Sequence, residues 1–225
     1  MEQHSMKVIA HIRSDFPTKF GIPRQSGLVP ELRATVVFEP EFRNPDALRG
    51  IEGFSHLWLI WQFSGAVRED WSPTVRPPRL GGNTRMGVFA TRSPFRPNPI
   101  GLSCVKLEGV GQDTENGAVL YVSGADLMDG TPIYDIKPYL PYADSLLNAR
   151  GGFAPSPKEA VVVECPPELL TKLSPEQRAA LLGVLAQDPR PQYQDDPRRV
   201  YGMQFADFEV KFRVENSTLY VTKIE

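Results

Sequence analysis

Two cysteines, three histidines and three tryptophans in 225 residues leave this chain poor in the side chains that most often carry metal or thiol chemistry. Cys104 and Cys165 sit in unlike contexts, so neither a disulfide framework nor a metal knuckle is readable. His4, His11 and His56 are scattered without ligand spacing. Long apolar runs are missing too. The longest unbroken one, Leu57-Trp58-Leu59-Ile60-Trp61, falls far short of the ~20 residues that cross a bilayer. Met1 to Lys7 contains no apolar h-region, so we expect no signal peptide and a soluble, cytoplasmic protein. There is no Gly-x-Ser-x-Gly elbow and no Walker loop. Gly109-Val110-Gly111 lacks a third glycine and a following helix. Metal-assisted hydrolysis, serine hydrolysis and Rossmann-type hydride transfer therefore lose ground, and no metal is expected.

Proline, in contrast, is abundant: 22 residues, about twice the usual ~5%. Prolines at this density punctuate turns and disfavour a helical bundle. Seven short runs rich in β-branched or aromatic residues are bounded by Gly, Pro or Asp: Lys7–Ile12, Leu32–Phe38, His56–Phe63, Met86–Ala90, Leu102–Leu107, Ala118–Ser123 and Pro132–Ile136. They predict a barrel or sandwich. A short helical turn is expected at Asn44–Arg49. The pattern changes at Arg150-Gly151-Gly152 and Pro155-Ser156-Pro157, which read as a linker. Beyond it come a strand at Ala160–Glu164, a helix opened by the capping box Ser174-x-x-Gln177, and a hairpin of Phe208–Val214 with Leu219–Ile224. The helix stripe reads Ala179, Leu182, Leu185 and Ala186. The expected architecture is thus mainly β, with residues 1–150 as the main domain and residues 151–225 as a small α+β C-terminal domain.

Net charge is −2, yet its distribution is uneven. Between Trp71 and Leu107 stand Arg76, Arg79, Arg85, Arg92, Arg96 and Lys106, with no acid. A solvated basic face and an anion-binding surface both fit; guanidinium forks match oxyanion geometry and favour the second. Two segments look built to present polar groups rigidly. Gly21-Ile22-Pro23-Arg24-Gln25-Ser26-Gly27 offers two fork-shaped donors in a loop framed by Gly and Pro, and Thr91 to Leu102 holds Arg92, Arg96 and Asn98 among three prolines. A third, Asp126 to Asp144, begins with the turn signal Asp129-Gly130 and goes on to a dense set of Tyr, Asp and Lys. The aromatic run Phe54–Phe63 reads as a core strand, with Trp58 and Trp61 on opposite faces.

These segments resemble one family closely, the TrmO tRNA methyltransferases. The residues that carry the likeness are Ile22-Pro23-Arg24-Gln25, Phe54-Ser55-His56-Leu57-Trp58, Arg76-Pro77-Pro78-Arg79-Leu80-Gly81-Gly82, the long run Met86 to Ser103, and Asp129-Gly130-Thr131-Pro132-Ile133-Tyr134-Asp135-Ile136-Lys137-Pro138-Tyr139. Asp188-Pro189-Arg190-Pro191 and Tyr201-Gly202-Met203 fit as well. The resemblance implies a non-Rossmann methyltransferase built on a small β-barrel, a homodimer, and S-adenosylmethionine as cofactor. It implies a substrate too, threonine tRNA whose adenosine 3′ of the anticodon already carries an N6-threonylcarbamoyl group. Cofactor contacts would fall on Pro23, Arg24, Gln25, Arg92, Leu102, Asp129, Gly130, Thr131 and Pro132, and on Ser64 and Gly65, with Ser64 standing where the family pattern has His. Asp135, Tyr139, Tyr142 and Asp144 are then candidates for a helper base, and Arg76, Arg79, Arg85, Arg96 and Arg190 for the tRNA footprint. A cofactor- or tRNA-binding sensor without turnover is the rival reading, and a small-molecule methyltransferase a further one.

Overall fold

A computed structural model describes residues 4–68, 70–191 and 196–225. The mainly β expectation is borne out. Six strands, β1 (Ala10–Ser14), β2 (Arg33–Phe38), β3 (His56–Gln62), β6 (Ile100–Asp113), β7 (Gly117–Ser123) and β8 (Pro132–Pro138), pair antiparallel in the cyclic order β1-β2-β7-β6-β3-β8. Ala10 of β1 pairs with both Phe38 and Ile133, which closes the sheet on itself. Alternation along each strand does the folding work. In β3, Leu57, Leu59 and Trp61 point inward while His56, Trp58, Ile60 and Gln62 stay half-exposed. The inward sets form one core of Ala10, Ile12, Val36, Leu57, Leu59, Leu120, Val122 and Ile133, each side chain contributing about 1.5–3 kcal/mol where large and apolar.

Several boundaries differ from the sequence pattern. The run predicted at Met86–Ala90 is strand only at β5 (Met86–Gly87), paired with β4 (Thr74–Val75), and then tightens into a 3-10 turn at Val88–Ala90. The strand predicted at Leu102–Leu107 extends to Ile100–Asp113, because a bulge between Leu107 and Gly109 lets it continue beside β7. The turn after Asn44 is 3-10, capped by the Asn44 side chain on the Asp46 amide.

A second apolar core lies in the C-terminal part. There β10 (Tyr201–Phe205), β11 (Phe208–Glu215), β12 (Thr218–Ile224) and β9 (Val162–Glu164) form a sheet in that order, with β9 parallel to β12. Against it sit the four-residue α2 (Pro167–Leu170) and α3 (Pro175–Ala186), which follow α1 (Pro141–Asp144) in the chain. The Ser174–Gln177 capping box forms as predicted. The buried face of α3 is Ala180, Leu181, Val184 and Leu185, however, not the stripe with Ala179 and Ala186, since the run is apolar nearly all round and tertiary packing chooses its face. Phe16, Val29 and Leu32, from the segment between β1 and β2, belong to this second core, so residues 15–32 lie against the C-terminal sheet. Gly21 has φ 97° and lies so near Met203 that a Cβ there would fall 2.1 Å from its sulfur.

Candidate functional site

The first half of β6 pairs with β3 alone, because β7 joins only from Lys106 onward. Its open edge is covered by the Pro23–Gly27 loop. The Cys104 amide donates to Ser26 Oγ at 3.0 Å, and Gly27 N donates to the Gly124 carbonyl at 2.8 Å. Pro23 is buried, Arg24 exposed and Gln25 half-buried. Arg92 crosses from its proline-locked loop to donate to Gln25 Oε1. Three of the separate sequence candidates, Gln25, Arg92 and Leu102, are thereby gathered along one strand edge.

Beneath them lies a group that sequence reading missed. Asp126 accepts from the buried hydroxyl of Ser103 at 2.5 Å, and that hydroxyl accepts from Trp61 Nε1 at 2.9 Å. Burial pushes the Asp126 carboxyl above its ordinary range, against the opposing pull of Ser103, of backbone N–H groups including that of Ser26, and of the Arg92 charge. In sequence Asp126 is one more acid before a turn; only the closed sheet sets it over Ser103.

The segment it opens continues into the Asp129 turn. Asp129 accepts from Ser14 N at 3.0 Å and lies 3.5 Å from the Arg13 guanidinium. Gly130 takes φ 73°, and the buried Thr131 hydroxyl donates to the Met128 carbonyl at 2.6 Å. Met128 reaches toward Gly65, where a Cβ would meet its methyl at 3.9 Å, so exposed Ser64 and Gly65 border the same turn. Pro132 follows as the first residue of β8 and pairs with His11.

On the outer face of the sheet, Ile60 pairs with Leu102 on one side and with Asp135 on the other. The three form a row roughly 10 Å long, two strand spacings. Leu102 is 52% exposed, an apolar group left at the surface beside Arg92's loop. Asp135 binds Lys137 at 2.9 Å. In the next row Trp58 pairs with Cys104 and Lys137, and its ring lies 5.8 Å from that of Tyr139. Asp144 accepts from Trp58 Nε1 at 3.0 Å and from Leu140 N at 2.8 Å, the backbone bond first and the indole second holding its carboxyl below the usual range. Tyr142, on the same short helix, is 87% exposed. Burial, with Asp144 nearby, pushes the Cys104 thiol up, which makes it a poor nucleophile. The four base candidates thus share one face with Leu102.

The predicted footprint arginines are less uniform. Arg76 and Arg85 are exposed, and Arg85 donates to Thr74 Oγ1 at 3.0 Å. Arg96 is half-buried and turned to its own loop, donating to the carbonyls of Thr91 and Ser93 at 2.9 and 3.3 Å. Arg79 donates to the Ser156 carbonyl, and Arg190 grips Asp188 through two bonds of 2.8 and 3.0 Å. Among the described residues no group of three or more His, Cys, Asp or Glu is placed to hold a metal, and no helix is long and apolar enough to cross a membrane.

Comparison with known proteins places this arrangement. The tRNA-methyltransferase O N-terminal domain matches residues 11–145, and the TrmO C-terminal domain matches residues 158–225. The tRNA (adenine(37)-N6)-methyltransferase of Escherichia coli is 43% identical over 100% of this chain and 99% of its own length. That of Eikenella corrodens is 50% identical over 76% of this chain and 97% of its own. A crystal structure of TrmO from Pseudomonas aeruginosa superposes with a TM-score of 0.81 at 37% identity, covering 100% of this chain and 99% of that one. With both family domains matched in order and relatives similar along its whole length, the chain belongs to the TrmO family of tRNA methyltransferases.

Proposed function

We propose that this protein transfers a methyl group from S-adenosylmethionine to N6 of an adenosine in tRNA, the adenosine 3′ of the anticodon in threonine tRNA that already bears an N6-threonylcarbamoyl group. Family membership supports the reaction class, and relatives are named S-adenosylmethionine-dependent methyltransferases. The observation that carries the site is the continuity of the Gln25–Arg92 pair with Leu102 and, through Leu102, with the Ile60–Asp135 row.

The donor set fits the cofactor. Arg24, Gln25 and Arg92 supply fork-shaped donors for its carboxylate, Asp129 supplies oxygens for a ribose, Leu102 supplies an apolar wall, and buried Thr131 holds the Asp129 turn through the Met128 carbonyl. Gly65, Gly130 and Pro132 line the same turn, and buried Pro23 fixes the loop. When bound, the cofactor would supply an electrophilic methyl on sulfur, and Asp126 lies beneath, accepting from the Ser103 hydroxyl. The protein's own work is then chiefly positioning. The target nitrogen is part of a urea-like group whose lone pair is delocalised, so its proton must leave as the new N–C bond forms. Asp135, in the Leu102 row, is the base we assign. Tyr139 and Tyr142 orient the nucleoside, and Asp144, held anionic by two donors, is a weak base that fixes α1. Exposed Arg76 and Arg85, with Arg79 and Arg190, face the tRNA backbone, while Arg96 braces its own loop through the Thr91 and Ser93 carbonyls. The barrel of residues 1–150 carries this chemistry, residues 151–225 form the appended domain, and the working unit is a cytoplasmic homodimer.

Nucleoside mass spectrometry tests the reading. Threonylcarbamoylated threonine tRNA, incubated with the protein and S-adenosylmethionine, is expected to gain one methyl on the modified adenosine, and unmodified tRNA none. Cofactor binding without methyl gain would favour the sensor reading instead. A single species at the monomer mass in light scattering would remove the homodimer.

A further inference from the structure

Two large rings stand in water at the foot of the β4–β5 hairpin. Trp71 is 52% and Phe89 73% exposed, and neither belongs to an apolar core. The two stack on each other, with centroids 6.1 Å apart and planes 30° from parallel. Trp71 precedes β4 and Phe89 follows β5, so the hairpin sets their spacing. Backbone and hydroxyl bonds hold both ends. Val88 N donates to the Pro73 carbonyl at 2.9 Å, Ser72 Oγ to the Thr74 carbonyl at 2.8 Å, and Thr91 Oγ1 to the Val88 carbonyl at 2.8 Å. Buried Val88 pins the 3-10 turn from within, and the next residue, Phe89, is sent outward. Phe95 differs, since the Arg68 guanidinium lies 3.8 Å over its ring and takes that face. Among the described residues Phe89 has Trp71 as its one ring partner and no cation over it. Arg92, at the candidate cofactor site, is three residues on, so the two Cα atoms are at most about 11 Å apart.

A single exposed ring needs no explanation, whereas a stacked pair fixed at the surface marks a contact. We propose that Phe89, backed by Trp71, is a stacking platform for an unpaired base of the RNA substrate, the base beside the methylated adenosine. The inference rests on the tRNA reading above and adds a recognition element to that site. Methyl transfer creates the need for it. To bring N6 to the cofactor, the adenosine must leave its stack, and its neighbour then loses a ring partner. An aromatic face close to Arg92 replaces that partner, and it accepts any base because every base has a π face. Charge favours this occupant over a second copy of the chain. From Trp71 to Leu107 the sequence has five arginines and a lysine and no acid, Asp70 being the nearest one before it. Exposed Arg76 and Arg85 stand on the hairpin itself, between β4 and β5. Two copies meeting across this face would set like charges against each other, while RNA brings phosphates to them.

Phe89 is exposed, so its variants should keep the parent's Tm. Fluorescence anisotropy with threonylcarbamoylated threonine tRNA, from about 50 to 200 mM chloride, gives affinity and its salt slope. Phe89→Leu keeps an apolar side chain and loses the π face. It is expected to weaken tRNA binding about fivefold or more at every salt concentration, with the slope of log affinity against log salt unchanged, since no phosphate contact is lost. Phe89→Tyr should restore the affinity, and calorimetric affinity for S-adenosylmethionine should stay at the parent value in both. The same tRNA with one abasic nucleotide on either side of the modified adenosine locates the base. On one side the abasic tRNA should bind the parent as weakly as intact tRNA binds Phe89→Leu, and should bind Phe89→Leu no more weakly still. Full affinity in Phe89→Leu, with the parent binding normally, overturns the platform alone. So do a flattened slope, which makes the loss electrostatic, and abasic losses that simply add to that of Phe89→Leu on both sides. A lower mass for Phe89→Leu in light scattering, accompanying the lost affinity, hands the pair to a second copy of the chain and overturns the RNA assignment. No tRNA binding by the parent at any salt overturns the tRNA reading and the platform with it.

Discussion

A Cβ on Gly101 would lie 2.3 Å from the ring of Trp61, its cross-strand partner. The indole therefore occupies the place of a side chain on the neighbouring strand, and from there its N–H reaches Ser103 and, through Ser103, Asp126. Gly101→Ala must push that ring aside. Overpacking of this kind costs about 1–3 kcal/mol, and each kcal/mol is worth roughly 2–4 °C of Tm in a chain of this size. A thermal melt should show the loss, and Trp61 emission should shift with it. Gly53→Ala, where a Cβ meets nothing within 4 Å, should do neither. Equal melts for the two variants would sink the argument.

Asp126→Asn separates stability from function at the other end of the same chain of bonds. Burial raises the Asp126 carboxyl from its ordinary 3.8 in the folded state. The folded protein therefore holds a proton that the unfolded chain releases, and this group's contribution to stability falls as pH rises from 3.8 through the raised value. Asparagine has no such titration. The variant is expected to melt no lower than the parent at neutral pH and to lose the part of the parent's pH slope that begins above 3.8. Calorimetry should still show S-adenosylmethionine binding about tenfold weaker, since a charge-assisted bond carries about 1.5–3 kcal/mol and Asp126 accepts from Ser103 while its carboxyl attracts the Arg92 charge. A lower melt with intact cofactor affinity would make Asp126 a purely structural residue.

The pairing of Arg92 with Gln25 makes a sharper demand on chemistry. A guanidinium can donate to Gln25 Oε1 and still present a second edge to a ligand, whereas an ammonium on a flexible stem is a point charge. Arg92→Lys should therefore fall closer to Arg92→Ala than to the parent in cofactor affinity, with the alanine variant down about tenfold to a hundredfold. Arg92 is exposed, so both variants should keep the parent's Tm. Full affinity in Arg92→Lys would show that charge alone suffices.

What the sequence could disclose divides along physical lines. Alternation predicted that Trp58 and Trp61 leave β3 on opposite faces, and they do. The Ser174–Gln177 box announced the start of α3, because a cap depends only on neighbours in the chain. Strand existence was legible for the same reason, except at β4 (Thr74–Val75), two residues too short to show a pattern, and at β10 (Tyr201–Phe205), whose glycine and glutamine weaken it. Long-range consequences were not. Nothing near Asp126 in sequence shows that Ser103 lies over it, and nothing near Gly101 names Trp61. Gly21 abuts Met203 only because residues 15–32 lie on the C-terminal sheet. Arg96 illustrates the reverse error of a local reading: a basic residue in a basic loop, it is largely turned back to the carbonyls of Thr91 and Ser93.

Asp144 and Trp58 supply a test of the outer face by pH. The Leu140 amide and the Trp58 indole lower the Asp144 carboxyl below its ordinary 3.8, so its bonds favour the fold above that value and are lost as pH falls through the depressed one. Trp58 reports this directly, because its N–H loses a charged acceptor on protonation. The difference in tryptophan emission between the parent and Asp144→Asn should be constant from pH 7 down to about 4 and collapse below it, as the parent carboxyl becomes neutral like the amide. With α1 less firmly held, Tyr142 is no longer presented at a fixed place. Asp144→Asn is then expected to lower kcat for methyl transfer several-fold while S-adenosylmethionine affinity stays at the parent value. A kcat lost in the same proportion by Asp144→Asn and Asp135→Asn, with no emission difference at any pH, would instead make Asp144 a member of the proton-transfer machinery.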